Sequence, residues 1–329
     1  MKKFRIGWVV LSVVAFACSV DDVTAPPPGV DGGADSGGSV DAAPNSDTSI
    51  ADASSDTAPT DQPLLRFADF SPDAPALDFC LAPHGTTAYV GPVVAGAAAD
   101  AGASGLSFGQ VTTYLALGLA SGVYDVRTVA AGAADCTTAL MGAPNATNLA
   151  TLAAGESYTI AALGESSPAS GDHPYAILLL GDDAVAPSGD AAIRFLHASP
   201  GNGLGPLDVG TGTLTATDAA PADFEPWFTH VAYGLTGLSS AADGGPVDSD
   251  GYLDLAPIST MTVSAHPTGG TADTVTATGL SFAAGSVSTL FLIGGKSGDT
   301  TNPVELLLCT DNAEEPSGSL LAPCGVVSQ

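Results

Sequence analysis

The sequence predicts an all-β protein with two tandem β-sandwich modules behind a long polar linker. Three observations lead to this prediction. One segment of the chain occurs twice. Short runs of β-branched and aromatic residues alternate with Gly, Pro and Asp clusters, and about eight short strands in about 120 residues are typical of a sandwich. No stretch keeps a helical period with capping residues over about ten positions.

The repeated segments are residues 63–182, the first predicted module, and residues 190–325, the second. The shared motifs keep their order, and the spacing between copies drifts slightly, as expected when loops change length between fixed strands. Leu65–Pro72 returns as Ile193–Pro200, Phe108–Val111 as Phe228–Val231, Ala153–Gly155 as Ala283–Gly285, and Leu178–Leu180 as Leu306–Leu308. A residue essential to one chemistry in both modules should therefore appear in both copies.

Individual strands follow from apolar runs and from alternation. Tyr124–Val129 alternates as a half-buried strand does, and so does Thr260–His266 in the second module, whereas Ser288–Ile293 is a continuous buried run. The predicted strands of the first module are 64–70, 77–81, 89–94, 110–117, 123–129, 148–152, 157–163 and 176–180.

The N-terminus has the features of an export signal. Lys2, Lys3 and Arg5 precede an apolar run, Ile6–Ala17, which is too short for a permanent membrane span. Cys18 follows directly, which resembles the lipobox of bacterial lipoproteins. We therefore expect residues 1–17 to be a signal peptide, Cys18 to be lipidated, and the protein to be anchored in the outer membrane. The alternatives are plain secretion, which the Ala-x-Ala-type site at 15–17 permits, and an uncleaved anchor.

Residues 18–62 are expected to form the linker. Residues 19–62 contain nine Asp and no Lys, Arg or aromatic residue, so they cannot build a core and should be disordered. Beyond the signal, four basic residues stand against 35 acidic ones in the whole chain. Such an acidic protein repels nucleic acid.

The remaining four cysteines predict disulfides, because an even number in an exported chain is typical of oxidised pairs. Three connectivities are possible. We favour Cys80–Cys136 and Cys309–Cys324, one pair within each module. A zinc site is disfavoured, since no two cysteines have the short spacing of zinc ligands.

Several of these motifs together resemble domain of unknown function 4397. They are Arg-Phe-x-x-x-Ser-Pro, Leu-Asp at 77–78 and 207–208, a Gly-x-Tyr strand and Ala-Gly-x-x-Tyr-Thr. In that family the opening commonly runs His-Ala-Ser-Pro-Asp-Ala-Pro. The first copy keeps Ser71–Pro75 but has Asp69 where His is common, and the second keeps His197–Pro200 only. The resemblance implies tandem immunoglobulin-like β modules on a bacterial lipoprotein of myxobacterial type, with no established activity.

Two possible sets of active groups are present. Ser199, His197 and Asp208 include the residue types of a hydrolase triad, but the first copy has Asp69 in place of the histidine and no Gly-x-Ser-x-Gly elbow surrounds the serine. We expect the serines to bond to local backbone instead. Asp78 and Asp208 occur in both copies, and we expect them to accept backbone hydrogen bonds rather than to act in acid–base chemistry.

Asp248, Asp250 and Asp254 surround a glycine turn, and such carboxylate spacing suits calcium. The alternative is an ordinary Asp-Gly hairpin turn. The sequence favours a non-enzymatic cell-surface lipoprotein that binds a protein or glycan, adheres or has a structural role, without a cofactor. The alternative is an enzyme accessory or calcium-binding module whose site lies in the second repeat.

Overall fold

Two sheets form the first half of the protein, which spans Leu64–Asp182. The strands are β1 (Leu64–Phe70), β2 (Leu77–Pro83), β3 (Leu115–Ala116), β4 (Tyr124–Ala130), β5 (Ser157–Leu163) and β6 (Ala176–Asp182). One sheet has the order β3-β1-β5-β6, and β2 pairs with β4 in the other. A five-residue helix, α1 (Val93–Ala97), follows β2.

The described residues of the second half, Ala191–Val326, contain nine strands. They are β7 (Ala191–His197), β8 (Leu207–Thr211), β9 (Glu225–Val231), β10 (Tyr252–Leu255), β11 (Ile258–Pro267), β12 (Val275–Phe282), β13 (Val287–Ile293), β14 (Glu305–Thr310) and β15 (Cys324–Val326). They form sheets of order β10-β7-β13-β14-β15 and β12-β11-β8-β9. The all-β class predicted from the sequence is therefore confirmed.

These descriptions come from a computed structural model that describes residues 62–97, 104–140, 148–149, 151–168, 173–182, 188–201, 203–213, 224–237, 247–296, 300–312 and 319–328. The predicted signal peptide, Cys18 and all but the last residue of the predicted linker lie outside these residues. Within the described ranges no helix has the length and apolar character needed to cross a membrane. Residues Asp56–Gln329 form one compact unit.

The main sheets of the two halves have the same pairing. β1 is antiparallel to β3 and parallel to β5, and β5 is antiparallel to β6. In the second half β7 is antiparallel to β10 and parallel to β13, and β13 is antiparallel to β14. The two sheets differ at one outer edge: β15 pairs with the outer edge of β14, whereas β6 is the last of the described strands in its sheet.

Alternation along β1 explains how the main sheet is buried on both faces. Leu65 and Phe67 point into the first-half core, while Ala68 and Phe70 belong to a separate apolar cluster with residues of the second half. The ring centroid of Phe70 lies 4.7 Å from that of Phe291 on β13. Because successive strand residues point to opposite faces, the two main sheets pack against each other through one face and against their own smaller sheet through the other.

The C-terminal segment contacts both halves. Leu320 accepts a hydrogen bond from the Thr113 amide, and Ala322 donates one to the Val111 carbonyl, both in the first half. Two residues later β15 pairs with β14. The sulfurs of Cys309 and Cys324 are 2.00 Å apart, and those of Cys80 and Cys136 are 2.10 Å apart, so the favoured cysteine pairs are the ones at bonding distance.

Some predicted strands were wrong. Residues 89–94 include the start of α1 instead of forming a strand, and 110–117 contains only the two-residue β3. Within 148–152 the described residues contribute a single bridge, between Leu152 and Gly122. In each case the strand was predicted from a run of apolar residues. Here such runs pack into the core without regular hydrogen bonding to a neighbouring strand.

Two repeat equivalences also need correction. Gly109 donates to the Asp69 carbonyl, and Gly234 donates to the His197 carbonyl, so Phe108–Val111 corresponds to 233–236 and not to Phe228–Val231, which belongs to β9. Likewise Thr159 pairs with Leu180 and Thr289 pairs with Cys309. Leu178 is therefore equivalent to Leu307. A shift of one residue changes the face to which a strand side chain points, and a run of three leucines does not fix the register.

Candidate functional site: the buried joint between the halves

Basic residues are scarce after the predicted signal peptide, and three of the four join the two halves. Four follow the predicted signal peptide: Arg66, Arg127, Arg194 and Lys296. Arg127 stays within the first half, where its guanidinium lies 4.3 Å from the centroid of the Tyr89 ring. Arg66, Arg194 and Lys296 each pair with a carboxylate of the opposite half.

Arg66 and Arg194 occupy the same position on β1 and β7, and both point into the contact between the main sheets. Their exposed fractions are 1% and 0%. Each arginine pairs with an aspartate of the other half. Arg66 Nη1 lies 2.7 Å from Asp311 Oδ1, and Arg194 Nη2 donates to Asp182 Oδ1. The two ion pairs therefore cross the joint in opposite directions.

Each aspartate is also held by hydroxyl groups of its own half. Asp182 Oδ2 accepts from Thr159 Oγ1 at 2.6 Å and from the Tyr114 hydroxyl at 2.8 Å. Asp311 Oδ2 accepts from Thr289 Oγ1 at 2.6 Å and from the Tyr252 hydroxyl at 2.7 Å. The second set repeats the first, so one arrangement of Thr, Tyr and Asp is built twice.

The arginines complete both sets. Arg66 Nε donates to Thr159 Oγ1 at 2.6 Å, and Arg194 Nε donates to Thr289 Oγ1 at 3.2 Å. Each guanidinium also lies over a tyrosine ring, Arg66 at 5.0 Å from the Tyr114 centroid and Arg194 at 4.4 Å from that of Tyr252. We call the eight residues concerned the crossed network: Arg66, Tyr114, Thr159, Asp182, Arg194, Tyr252, Thr289 and Asp311.

Burial and neighbouring charges shift the pKa of five groups in this network. Burial raises the pKa of the Asp182 carboxyl, but Arg66 and Arg194 outweigh it and hold that pKa below its ordinary value. Burial lowers the pKa of both arginines, yet nearby groups, Asp311 and Asp182 for Arg66 and Tyr252 and Asp182 for Arg194, raise it above normal. Burial raises the pKa of the Tyr114 and Tyr252 hydroxyls. These groups therefore keep one protonation state at any physiological pH.

The two halves of the network differ at one point. Arg194 Nη1 donates to the carbonyls of Gly181 and Asp250. Arg66 Nη2 has no hydrogen-bond partner within the described part of the chain. Arg66 instead lines a small cavity of about 10 Å³ together with Tyr114, Asp311 and Pro323. That volume suits a single water molecule.

Lys296 makes a third cross-joint pair at the opposite ends of these strands. Its Nζ lies 2.7 Å from Asp73 Oδ2, and nearby Asn302 Nδ2 donates to the Pro72 carbonyl at 2.7 Å. Burial raises the pKa of Asp73, but the Lys296 ammonium and Ser166 lower it by more. Both ends of the joint thus carry a charged contact.

The proposed triad residues are placed for structural roles. Ser199 Oγ donates to the Gly294 carbonyl at 2.7 Å, and Ser71 Oγ donates to the Gly164 carbonyl at 2.6 Å. Neither ring nitrogen of His197 bonds to Ser199. Asp208 Oδ1 accepts from the His230 amide and from Thr268 Oγ1, each at 2.8 Å. The structure does not bring the three groups together as a triad.

Asp69 and His197 are equivalent and fully buried. Burial raises the pKa of the Asp69 carboxyl to about 8 although the Ser71 amide lowers it, and burial lowers the pKa of the His197 imidazole to about 4. Both side chains are thus uncharged near neutral pH. The same buried position therefore holds Asp in one copy and His in the other.

The remaining candidate carboxylates accept backbone amides. Asp78 accepts from Val94 and Ala95 in the first turn of α1, each at 2.8 Å, and thereby fixes that short helix. Asp248 Oδ1 accepts from the amides of Asp250 and Tyr252 at 2.9 and 2.8 Å, as in a hairpin turn.

The side chain of Asp250 lies against Gly181, and Asp254 is an exposed residue of β10. Among the described residues no group of three or more His, Cys, Asp or Glu side chains is arranged to hold a metal ion. The structure therefore does not gather Asp248, Asp250 and Asp254 into one cluster.

The sequence did contain a signal for the crossed network. Arg66 and Arg194 are two of only four Lys or Arg residues that follow the predicted signal peptide, and they stand at the same place in the two copies. Alternation alone would assign a charged residue on a strand to the solvent face. The repeat therefore indicated a role for the two arginines. The surface that buries each of them belongs to the other half of the protein, and no local sequence pattern predicts that contact.

Comparison with protein families gives a match to part of the chain. The model of a family described as Domain of unknown function (DUF4397) matches residues 85–209. This single match is shorter than the two-copy resemblance expected from the sequence, since it begins after β2 and ends within β8. No curated protein matches the chain. Over residues 85–209 this protein is therefore similar to a domain whose function is unknown.

Proposed function

We propose that this protein is a lipid-anchored, non-enzymatic component of the bacterial cell envelope whose two halves act as one rigid binding or structural unit. The observation that carries the proposal is the crossed network. Two modules joined by a flexible linker alone would need no buried charges at their contact. Here each half supplies the carboxylate that neutralises the arginine of the other.

The energetics favour rigidity as the role of the joint. A buried ion pair adds little net stability compared with apolar residues of the same size, but breaking one leaves an uncompensated charge. The network therefore penalises any rotation that separates the halves. Lys296–Asp73 and the C-terminal segment hold the same contact at other points.

The N-terminal sequence and the cysteines support an envelope location. A cysteine follows the apolar run directly at position 18, and both pairs of later cysteines are at disulfide distance, which suits an oxidising compartment. We propose that Cys18 is acylated and that the acidic linker separates the rigid unit from the membrane. The strong excess of acidic residues makes a protein or glycan a better partner than nucleic acid.

A non-enzymatic role is supported by the polar groups in both halves. The equivalent hydroxyls of Ser71 and Ser199 bond to equivalent carbonyls, and the buried Asp78 carboxylate accepts backbone amides. These groups are engaged in maintaining turns and strand ends, which is the pattern of a scaffold.

Metabolic labelling tests the anchor. Cells that express the full chain are grown with a labelled fatty acid; the wild type should carry the label, and Cys18→Ala should lose it. Cys324→Ser is the matched control and should keep the label. An unlabelled wild type would rule out the anchor.

Limited proteolysis tests the rigid unit separately. A protease that can cut between β6 and β7 should leave both halves together on native gel filtration, and they should separate only in denaturant. If nicked protein separates into two halves under native conditions, the joint is not rigid and the proposal fails.

A further inference from the structure

The outer edge of β6 differs from the equivalent edge in the second half. In the second half the equivalent strand, β14, is covered along its outer edge by β15. In the first half β6 ends the sheet, and no described strand pairs with it on that side. The same architecture thus has one covered edge and one uncovered edge.

Burial and hydrogen bonding agree with this difference. Every residue from Ala176 to Gly181 is half-exposed, whereas Leu306, Leu307 and Cys309 on β14 are buried. Within the described ranges the backbone of β6 bonds only to β5, apart from the Gly181 carbonyl, which accepts from Arg194. The outward backbone groups of residues 176–180 are therefore free to pair with another strand.

The other described edge strands are protected. In the two-stranded sheet, β2 also bridges to Leu106 and Val90, and carbonyls of β4 accept hydrogen bonds from the amides of Leu140 and Leu149. β3, β10 and β15 are at most four residues long. β9 contains Pro226 and a residue with positive φ, His230, and β12 pairs irregularly with β11 and contains Gly279 at φ 75°. Short edges, prolines and irregularities are the usual means of preventing strand addition. β6 has none of them, since its seven pairs with β5 are regular and its first charged residue is Asp182.

We propose that β6 pairs antiparallel with β6 of a second copy of this chain, so that the two main sheets join around a two-fold axis. The Asp248–Gly251 turn reaches the C-terminal end of β6, where Asp250 lies against Gly181. Pairing therefore uses residues 176–180 and centres on Leu178. Ala176 then lies opposite Leu180, and each residue keeps its own face of the sheet, as an isologous contact requires.

A second copy fits this edge better than the other segments of the chain. The C-terminal strand cannot leave β14, because Cys324 is bonded to Cys309. The predicted linker is rich in Asp and Pro, which are poor strand formers.

Charge does not oppose the contact. Residues 176–180 carry no charge, and the carboxylate of Asp182 is neutralised by Arg194 and Arg66. The remaining acidic charge of the two chains is screened over about 8 Å at physiological salt.

The expected dimer is weak. A contact of five residues per strand covers less than the roughly 1,200–2,000 Å² of a standard stable interface. We expect a dissociation constant on the order of 10 μM, in the range of transient complexes. The contact does not depend on the lipid anchor, so it is measured in solution on protein without acyl chains.

Sedimentation velocity from about 1 to 200 μM on exported full chain carrying Cys18→Ala tests the proposal, because this range spans the expected dissociation constant. The sedimentation coefficient should rise with concentration towards that of a dimer. Leu179→Lys should keep the protein monomeric. Leu308→Lys is the matched control, because Leu308 is equivalent, equally half-buried and on the covered strand, and it should dimerise like the parent protein. A parent protein that stays monomeric overturns the proposal, as does a dimer unaffected by Leu179→Lys.

Hydrogen exchange keeps the proposal testable if Leu179→Lys does not fold. In the parent protein, amides of residues 176–180 should gain protection as concentration rises, while those of β14 stay unchanged. Protection that does not depend on concentration, or that appears elsewhere, contradicts pairing through β6.

Discussion

Replacing Asp182 by Asn should destabilise the whole protein and not only the first half. The substitution removes the negative charge between Arg66 and Arg194 while it keeps the size of the side chain. Two unit charges about 4 Å apart attract by about 4 kcal/mol at the effective dielectric constant near 20 that suits protein sites. Removing one partner of a buried pair costs about 3–5 kcal/mol, because the other charge stays buried.

This loss is a large part of the roughly 5–15 kcal/mol by which natural domains are stable. Urea unfolding of the full chain measures it. We expect Asp182→Asn and Arg194→Met each to lower the free energy of unfolding by about 3–5 kcal/mol, and the double variant to cost clearly less than their sum.

Because each ion pair joins residues of different halves, double-mutant cycles can distinguish pairing across the joint from pairing within one half. The coupling free energy between Arg194 and Asp182, which belong to different halves, should be about 2 kcal/mol or more. Coupling between Arg194 and Asp311, which lie in the same half and are linked through Thr289, should be smaller. If Arg194 couples as strongly to Asp311 as to Asp182, or if each single variant costs less than about 1 kcal/mol, the account of the joint is wrong.

Three further outcomes follow from individual residues. The raised pKa of Asp69 means that the folded state keeps a proton that the unfolded state has lost, so stability falls as pH rises towards about 8. Between about pH 6.5 and 8 the parent protein should lose about 1–2 kcal/mol relative to Asp69→Asn in urea titrations, and a parallel pH dependence of the two proteins would refute this. Gly251 and Gly189 have φ of 89° and 88°, but an added Cβ would meet Thr236 Oγ1 at 2.7 Å only at Gly251. Thermal melts should therefore show a larger loss of stability for Gly251→Ala than for Gly189→Ala. Equal losses would mean that backbone strain, and not the contact with Thr236, determines the cost of both substitutions. Replacing Cys309 and Cys324 together by Ser should cost about 3 kcal/mol from loop entropy, and an unchanged midpoint in urea would contradict this.

Local patterns in the sequence predicted much of the secondary structure. β1, β4, β5 and β13 follow apolar runs or alternation closely, because each is a regular strand with at least one buried face. The short helix α1 was missed, since five residues are too few to display a helical period. Its position depends instead on a distant carboxylate, Asp78, which accepts its first amides.

The joint could not be predicted in the same way. A strand whose faces contact two different cores is buried throughout, as β7 is, although its sequence includes Arg194 and His197. Alternation tells which residues share a face but not what covers that face. The aromatic motif at Phe228–Val231 misled the comparison of the copies because the true counterpart, around Gly234, is fixed by a turn with positive φ and not by side-chain identity.

The position of the last residues in the chain constrains the order in which the protein can fold. The edge of the first half at Val111–Thr113 is completed by Leu320–Ala322, about 200 residues further along the sequence. A chain that emerges N-terminus first exposes its first half long before these residues arrive, and Asp182 must likewise wait for Arg194, and Arg66 for Asp311. Vectorial synthesis therefore leaves the first half incomplete until Leu320–Ala322 have been made. A change that removes these three residues would damage the part of the protein that is synthesised first.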